Sequence, residues 1–194
     1  MIFFTSDSHF NGYNVLKREK RPFKSVKECD TGIIKIWNKQ AKRGDIIYHL
    51  GDFITYVEEN ASEYEMGLNY VKKIKADVIL IIGNNEERII KYEFNNNFEK
   101  FRNFCINLGF KDVKKEEFLD LEDHKFYLNH RPSKHKNGYI NLFGHLHKVT
   151  GLYKPFGLNV ACDMHYFTLC TVNELINMWN KKQNMWDKDV DVLS

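Results

Sequence analysis

Short apolar runs that end in polar residues recur along the chain. Each run is four or five residues long and rich in β-branched and aromatic side chains, which is typical of buried β-strands. The runs occupy residues 2–5, 46–50, 78–82, 126–129 and 139–143. We therefore predict a strand at each of these places.

Amphipathic segments follow each of the first three predicted strands. Ser25 and Glu28 form an S-x-x-E capping box, which marks the start of the first predicted helix. A second helix is predicted over residues 61–74, and a third covers much of residues 86–108 with a break at the asparagines of residues 95–97. Strands that alternate with helices indicate an α/β core with parallel pairing. The second half is richer in strands and turns, as in a layered α/β/α or mixed sandwich.

The bulk composition is that of an ordinary globular protein. The 194 residues fall within the range of one domain, and 43% of them are hydrophobic and 28% charged. We find no internal repeat or Pro/Gly/Ser linker, so we predict a single domain over residues 1–180 and a polar tail over residues 181–194. The net charge is +3, and Lys and Arg are scattered among Glu and Asp. This scatter does not favour nucleic acid as a partner, although it allows a phosphate-bearing substrate.

The cysteines and the apolar runs indicate the cellular setting. Cys29, Cys105, Cys162 and Cys170 have no C-x-x-C spacing and lie mostly among apolar neighbours, so we expect buried free thiols and no zinc-thiolate site. The first apolar run has no basic segment before it, and the longest aliphatic run, residues 78–82, is too short to cross a bilayer. We therefore expect a cytoplasmic, reducing setting without a membrane partner.

Polar clusters that could bind metal follow the predicted strands. Ligands of open α/β sheets bind at the carboxyl ends of the strands, so clusters placed there can converge although they are far apart in sequence. Carboxylate and imidazole without thiolate suit Mn, Fe, Co, Ni or Zn, and an Asn carbonyl adds a neutral oxygen. Seven potential ligands are too many for one tetrahedral site and suit two ions with open positions. They are Asp7, His9, Asp52, Asn84, His130, His145 and His147.

Each cluster, taken alone, also has an ordinary structural interpretation. A D-x-H sequence occurs in many turns and helix caps, and GD and GNN are turn sequences because Gly and Asn tolerate positive φ. A lone histidine such as His130 is more often a core or surface residue. Only GHLH at residues 144–147 favours ligands by itself, since residues two apart on an extended chain point the same way. Five such clusters, all at strand ends, favour the metal site.

The ordered set D-x-H, GD, GN, a later H and GHxH resembles the calcineurin-like metallophosphoesterase superfamily. Residues 157–175 resemble the closing strands and the helix start of its small bacterial and phage members. The resemblance implies a four-layer α/β/β/α sandwich with two mixed sheets and a dinuclear metal site at strand ends. It also implies the ligand sets, which are Asp7, His9 and His147 for the first metal, Asn84, His130 and His145 for the second, and Asp52 as the bridge.

The same resemblance implies the reaction. Two divalent ions, most simply Mn, with Fe, Zn, Ni or Co as alternatives, would supply a metal-bound hydroxide that attacks a phosphoester. Asp52 and Asn85 would be the catalytic residues, with Asn85 and Arg131 binding the substrate. Arg131 could equally pair with an acidic neighbour. The expected substrate is a small phosphoester, and the sequence GDFITYVEE lacks the GDxxDRG motif of protein serine/threonine phosphatases.

One motif departs from the family pattern. Many relatives have GNH(D/E), whose histidine contacts the phosphate and can protonate the leaving oxygen, whereas residues 83–86 of this chain are GNNE. Asn85 can donate a hydrogen bond but cannot supply a proton near pH 7. Because family members without this histidine resemble phosphodiesterases, we expect a phosphodiester or an activated ester. His49 and His135 could replace the histidine, or they could equally be ordinary surface or strand residues. Relatives often carry a further histidine where this chain has Gly12.

Two other functions stay open at this point. A nuclease-like relative that cleaves nucleic acid would need a basic, aromatic-lined track outside the metal site. A non-catalytic metal-binding scaffold for protein interaction would keep the fold without turnover. Degenerate scaffolds usually lose several ligands, and all seven ligand types are present here. The sequence therefore favours a phosphodiesterase acting on a small substrate.

Overall fold

The computed structural model describes residues 1–57, 63–149 and 151–181. In these residues the chain forms two mixed sheets of five strands each, together with six α-helices. The strands are β1 (Ile2–Thr5), β2 (Ile46–His49), β3 (Asp77–Ile81), β4 (Asp112–Lys114), β5 (Glu117–Leu121), β6 (His124–Leu128), β7 (Ile140–Phe143), β8 (Tyr153–Lys154), β9 (Gly157–Asn159) and β10 (Cys170–Thr171). The helices are α1 (Tyr13–Arg18), α2 (Val26–Gln40), α3 (Glu63–Leu68), α4 (Asn84–Glu93), α5 (Phe98–Leu108) and α6 (Val172–Lys181).

The first sheet brings the ends of three ligand-bearing strands together. Its strand order is β10, β1, β2, β3, β4, in which β1 to β4 are parallel and β10 is antiparallel to β1. The register sets Phe4 opposite Tyr48, and Tyr48 opposite Ile79. Strands β1, β2 and β3 therefore end side by side, and the polar clusters that follow them are neighbours.

The second sheet brings the ends of β6 and β7 together, and with them the remaining polar clusters. Its strand order is β5, β6, β7, β9, β8, in which β6, β7 and β9 are parallel and the two outer strands are antiparallel to their neighbours. Phe126 of β6 lies opposite Ile140 of β7, so these two strands also end together. His130 and the GHLH sequence follow them. The two sheets with their helices confirm the predicted α/β class.

The alternation of side chains along β1 joins the layers. Phe3 is buried in an apolar cluster with Trp37 and Ile33 of helix α2, whereas Phe4 is buried in a second cluster between the two sheets. The ring centroid of Phe4 lies 6.2 Å from that of Phe126 in the second sheet. Burial of a side chain of this size stabilises the fold by about 1.5–3 kcal/mol. Adjacent residues of one strand thus hold the helices on one face and the second sheet on the other.

The structure has the predicted serine cap of α2 and the predicted helix break at residues 95–97. The Ser25 Oγ accepts a hydrogen bond from the backbone N–H of Glu28 at 3.2 Å at the start of α2. Asn95 and Asn96 have φ of 50° and 61°, and the side chain of Asn97 caps α5. The third predicted helix is therefore divided into α4 and α5, because three asparagines form the turn and the cap between them.

Two other predicted segments are described only in part. The helix predicted over residues 61–74 is an α-helix as α3 and continues as a 3-10 helix over Asn69–Lys73, whereas residues 61 and 62 lie outside the described residues. The tail predicted over residues 181–194 also lies outside them, apart from Lys181 at the end of α6. Of the helices that are described, none is both long enough and apolar enough to cross a bilayer.

Candidate metal centre

Five of the seven predicted ligands lie at left-handed backbone positions in the turns that follow the strands. Their φ angles are 57° at Asp7, 48° at His9, 53° at Asp52, 71° at His145 and 46° at His147. A residue other than glycine in this conformation costs about 1–3 kcal/mol, and such residues persist where the surrounding structure holds them. The turns that carry the polar clusters therefore store local backbone strain, as several other turns of the described chain also do.

The first group of side chains consists of Asp7, His9 and His147. The Nε2 atoms of the two histidines lie 3.2 Å apart. The Asp7 Oδ1 lies 3.8 Å from the His9 Nε2 and 3.6 Å from the His147 Nε2. All three residues are buried, and their ligand atoms lie within 4.8 Å of one another. They could hold one metal ion.

The second group consists of Asn84, His130 and His145. The His130 Nε2 lies 3.0 Å from the Asn84 Oδ1 and 3.2 Å from the His145 Nδ1. The Asn84 Oδ1 lies 2.8 Å from the same His145 nitrogen. The sheet ends thus bring together an amide oxygen that follows β3, at the start of α4, and imidazoles that follow β6 and β7.

Asp52 lies between the two groups. Its Oδ2 is 3.5 Å from the His9 Nε2, and its Oδ1 is 3.6 Å from the His130 Nε2. Its Oδ1 also accepts a hydrogen bond from the backbone N–H of Asn85 at 2.9 Å. Ligand atoms of Asp7, Asp52 and His130 lie within 4.8 Å of one another, so Asp7 is also near the second group.

The histidine ring nitrogens that face away from the cluster show whether the candidate ligands suit a cation. The His130 Nδ1 lies 2.8 Å from the Leu50 carbonyl oxygen, and the His147 Nδ1 lies 2.8 Å from the Asp163 Oδ2. Both partners only accept, so both Nδ1 atoms donate, and a ring that carries this one proton directs the lone pair of its Nε2 into the cluster. There the lone pair of the His130 Nε2 faces another acceptor, the Asn84 Oδ1, whereas the His147 Nε2 also lies 3.3 Å from the Arg18 guanidinium. Converging lone pairs of this kind suit a metal cation.

The protonation of these imidazoles also bears on metal binding, because a ligand must be neutral. Burial lowers the pKa of His9 to about 3, so this ring is neutral at pH 7. Burial, followed by the charge of His130, lowers the pKa of His145. Burial would also lower the pKa of His147, but Asp7 and Asp163 outweigh it and raise that pKa. We therefore expect His147 to be the ligand at which protons compete most strongly with metal.

Arg21 and Asp163 support the first group from behind. The Arg21 guanidinium donates to both oxygens of Asp163 at 2.9 and 2.8 Å and to the carbonyl oxygens of Asp7 and Ser8 at 2.7 Å. Burial raises the pKa of Asp163, but bonds from His147 and Arg21 outweigh it and lower the pKa to about 2. Asp163 is therefore charged, and it fixes the orientation of His147.

We expect Asp163→Asn to weaken metal binding by about 10–100-fold, since a neutral amide holds His147 and Arg21 less firmly than a carboxylate. Isothermal titration of the purified protein with Mn²⁺ measures this effect. Asp112→Asn is the matched control, because Asp112 accepts from Arg102 at 2.8 Å in an ion pair that is only part-buried. Equal Mn²⁺ affinity in the two variants would contradict the role of Asp163.

Glu86 joins two of the loops that carry candidate ligands. Its Oε2 accepts from the backbone N–H groups of Asp52 and Gly83 at 2.8 Å each, and its Oε1 accepts from that of Phe53 at 2.9 Å. The side chain is fully buried, and burial together with the charge of Asp52 raises its pKa to about 7. Nothing in the sequence pattern assigns this role to the last residue of GNNE.

Two glycines allow the loops to approach one another. A Cβ at Gly144 would overlap the Asp7 carboxylate and the Ser6 hydroxyl, and one at Gly83 would overlap the Asp52 carboxylate. The His145 backbone N–H donates to the Asp7 carboxylate oxygens at 3.1 and 3.0 Å, which uses this close approach. The glycines of GHLH and GNNE are therefore needed for contact between loops.

A cavity of about 550 Å³ opens over the centre. Asn85 lines it, and its Oδ1 accepts from the Tyr56 N–H at 2.9 Å. The Nδ2 of Asn85, which also donates to Asp52, is therefore the group that this side chain can direct to a substrate. Arg18 also lines the cavity, with its NH2 atom 3.3 Å from the His147 Nε2. The sequence pattern did not single out Arg18, because a lone arginine in a short polar helix carries no motif. The described lining residues outside the predicted ligands are Asn14, Val15, Arg18, Thr55, Tyr56, Val57, Asn85 and Arg88.

Three of the residues considered from the sequence do not line this cavity. Arg131 donates to both carboxylate oxygens of Glu87 at 2.7 and 2.6 Å, which is the pairing with an acidic neighbour left open above. His49 is buried against Phe53 with its Nε2 2.9 Å from the Ser8 Oγ. The ring of His135 stacks on Phe156 at 4.1 Å.

Gly12 has no room for the histidine that relatives often carry there. A Cβ at this position would lie 2.5 Å from the His9 carbonyl oxygen and 2.5 Å from the Thr55 Oγ1. The loop after the D-x-H sequence is therefore packed too closely for a side chain at residue 12.

Comparisons with known proteins agree with this fold. The model of the calcineurin-like phosphoesterase family matches residues 1–175. An uncharacterised protein of Methanocaldococcus jannaschii is 32% identical over 96 residues, covering 47% of this chain and 52% of that protein. The match thus spans about half the length of that curated relative.

Solved structures are also similar. The crystal structure of a protein of unknown function from Aquifex aeolicus superposes with a TM-score of 0.64 and 18% identity over 92% of this chain and 98% of that chain. The phosphoesterase YfcE from E. coli has a TM-score of 0.40 and 18% identity over 82% of this chain and 77% of that chain. The likeness to the Aquifex protein shows a shared fold.

Proposed function

The chain belongs to the calcineurin-like phosphoesterase family, and on that premise we propose that it is a dinuclear metal-dependent hydrolase of phosphodiesters or activated phosphoesters. The observation that carries the proposal is the pair of ligand groups on either side of Asp52, one with two imidazoles and a carboxylate and the other with two imidazoles and an amide. Divalent ions bound there, most simply Mn²⁺, would activate water and neutralise charge on the phosphoryl oxygens.

The residues around the two groups support the preference for diesters. Asn85 can donate a hydrogen bond to a phosphoryl oxygen through its Nδ2. Arg18 pairs with Glu19 through its Nε and places its NH2 group close to His147, where it can donate to a phosphoryl oxygen. Among the described residues of the cavity lining, no imidazole or carboxyl group stands outside the predicted ligands. A leaving oxygen therefore finds no side-chain acid in this part of the lining, which favours esters whose leaving group departs without protonation.

Hydrolysis of two chromogenic esters tests the proposal. We expect the protein to hydrolyse bis-p-nitrophenyl phosphate with Mn²⁺, to lose this activity with a chelator and to regain it when Mn²⁺ is restored. Metal analysis should give about two ions per chain, as a dinuclear centre requires. Activity that persists in the chelator would contradict the metal-dependent reaction, and a strong preference for p-nitrophenyl phosphate would contradict the diesterase part.

We expect Asn85→His to raise hydrolysis of p-nitrophenyl phosphate about 10²-fold relative to the diester. An imidazole at residue 85 can accept the Tyr56 N–H through its Nδ1, as the Asn85 Oδ1 does, and can direct a protonated Nε2 to the leaving oxygen. The ratio of kcat/KM values for the two esters measures the change. Asn14→His, on α1 in the same cavity lining, is the matched control. An unchanged ratio in Asn85→His would show that the missing imidazole does not set the preference for diesters.

We also propose a reducing, cytoplasmic setting. The cysteines at residues 29, 105, 162 and 170 are buried free thiols, as expected from their spacing. Burial raises the pKa of Cys29 to about 11, so this thiol is protonated at pH 7 and reacts slowly. Structural thiols of this kind are typical of proteins kept in reducing compartments.

A further inference from the structure

A second cavity of about 570 Å³ gathers cations that are scattered in the sequence. They come from the turn between β4 and β5 and from the segment that follows β6. The cations are Lys115, Arg131, Lys134 and Lys136. The fold therefore produces a basic surface that the even distribution of charge along the chain does not indicate.

This basic cavity adjoins the candidate metal centre. Asn129 and Arg131 line the basic cavity, whereas His130 between them belongs to the second ligand group. Helix α4 is shared in the same way, since it carries Asn84 at the centre and Glu87 in the basic cavity. A chain bound at the metal centre could therefore continue into the basic cavity.

The positive charge of the basic cavity is only partly compensated. Of the two acidic residues that line it, Glu87 binds Arg131, and Glu116 accepts from the Tyr127 hydroxyl at 2.6 Å. Lys115, Lys134 and Lys136 have no ion pair with any carboxylate of the described ranges. Three ammonium groups are thus available to phosphates.

Aromatic rings accompany these cations. The Lys115 Nζ lies 5.0 Å from the ring centroid of Phe98, and the Lys136 Nζ lies 5.5 Å from that of Tyr127. The amides of Asn96 and Asn129 also line the basic cavity. The Tyr127 ring is buried, so the partly buried Phe98 is the ring on which a base can stack. Cations that follow a phosphate backbone, next to an accessible ring, are features of single-stranded nucleic-acid sites.

We propose that the basic cavity binds single-stranded nucleic acid and that the scissile phosphodiester of this strand lies at the metal centre. This inference rests on the proposed function and names its substrate class. The strand runs from the centre past the Glu87–Arg131 ion pair to Lys134 and Lys136. Arg18 and Arg88 line the cavity over the centre, so cations border the strand in both cavities.

Binding of a fluorescein-labelled oligothymidylate to the full-length protein tests this proposal. Fluorescence anisotropy is measured in EDTA over a range of salt concentrations, so that no strand is cleaved. In Lys134→Ala/Lys136→Ala we expect the Kd to rise about 10-fold, and the slope of log K against log salt to become shallower by about 1.4, or about 0.7 for each lost phosphate contact. Lys115→Ala, in a separate segment, should weaken binding in the same direction.

The matched control is Lys35→Ala/Lys39→Ala. These lysines line another cavity, formed by residues of α2 together with Lys73 and Lys75, with no aromatic ring in its described lining. We expect this variant to bind the oligonucleotide as the wild type does. The proposed site would be overturned if the two double variants lost the same amount of affinity for the oligonucleotide. It would also be overturned if the wild type did not bind the oligonucleotide, or if it bound polyglutamate with the same affinity.

The oligonucleotide-binding experiment and the diester-hydrolysis experiment can fail independently of each other. A protein that hydrolyses bis-p-nitrophenyl phosphate with Mn²⁺ but does not bind the oligonucleotide keeps the proposed function and loses this inference. Binding of the oligonucleotide without Mn²⁺-dependent diester hydrolysis keeps the basic site and contradicts the hydrolase. Thermal unfolding of each variant shows that a loss of binding does not reflect a loss of folding.

Discussion

Asp52→Asn should lower Mn²⁺-dependent turnover of bis-p-nitrophenyl phosphate by about 10³-fold or more, equivalent to about 4 kcal/mol of transition-state stabilisation. The two carboxylate oxygens of Asp52 are directed to different groups, with Oδ2 near His9 and Oδ1 near His130. The backbone N–H of Asn85 donates to Oδ1, so an asparagine at residue 52 keeps its oxygen there and turns its NH₂ toward His9. An NH₂ group cannot bind a cation, and the first group loses a ligand.

The metal content should change together with the rate. We expect it to fall from about two ions per chain to about one, because the second group keeps an oxygen ligand and the first does not. Asp77→Asn is the control, since Asp77 is an exposed residue of the same sheet whose ion pair with Lys111 at 2.7 Å is remote from the centre. Wild-type turnover by Asp52→Asn would exclude Asp52 as the bridging ligand.

The residues of the candidate centre could be found in the sequence because each follows a strand with a strong apolar signal. Strands β1, β2 and β3 are buried and run into Asp7, Asp52 and Asn84, and parallel pairing brings these strand ends together. The side-chain types then indicate the chemistry. What the sequence predicts well is therefore chemistry that coincides with a regular hydrophobic pattern.

The strands that escaped prediction have a different pattern. Strand β4 has three residues, of which only Val113 is apolar, and it lies at the edge of the first sheet. Strand β5 lies at the edge of the second sheet, and its residues Glu117 and Asp120 interrupt the apolar run. Charged residues are common on edge strands because they limit pairing with other chains. Strands β4 and β5 are therefore defined by hydrogen bonds to a neighbouring strand, which a local hydrophobic pattern does not reveal.

The supporting residues of the centre were hidden for a related reason. Arg21 and Asp163 are separated by 142 positions, and each is an isolated charge in its own segment. The lysines of the basic cavity are similarly scattered, and they share a surface only because the turn between β4 and β5 lies close to the segment that follows β6. Ligands follow strand ends, whereas residues that orient the ligands or recognise the substrate are gathered by tertiary contacts alone.

Glu86→Ala should lower the free energy of unfolding by about 3 kcal/mol or more. The substitution leaves three buried backbone N–H groups, those of Asp52, Phe53 and Gly83, without their acceptor, and one unsatisfied buried donor costs about 1–3 kcal/mol. Water that enters the vacated space would recover part of this cost. The midpoint and slope of urea unfolding, followed by circular dichroism, measure the change.

The same substitution should weaken Mn²⁺ binding, because Glu86 holds the loop of Asp52 against the start of α4, where Asn84 lies. Glu87→Ala is the matched control, because Glu87 is the next residue in the chain and is partly exposed. It pairs with Arg131, and an ion pair of this kind contributes about 0–1 kcal/mol to the free energy of unfolding. If the two variants unfold at the same urea concentration and bind Mn²⁺ equally, Glu86 does not join the loops. If only Glu86→Ala loses both stability and metal affinity, the strained backbone at Asp52 depends on the buried carboxylate beside it.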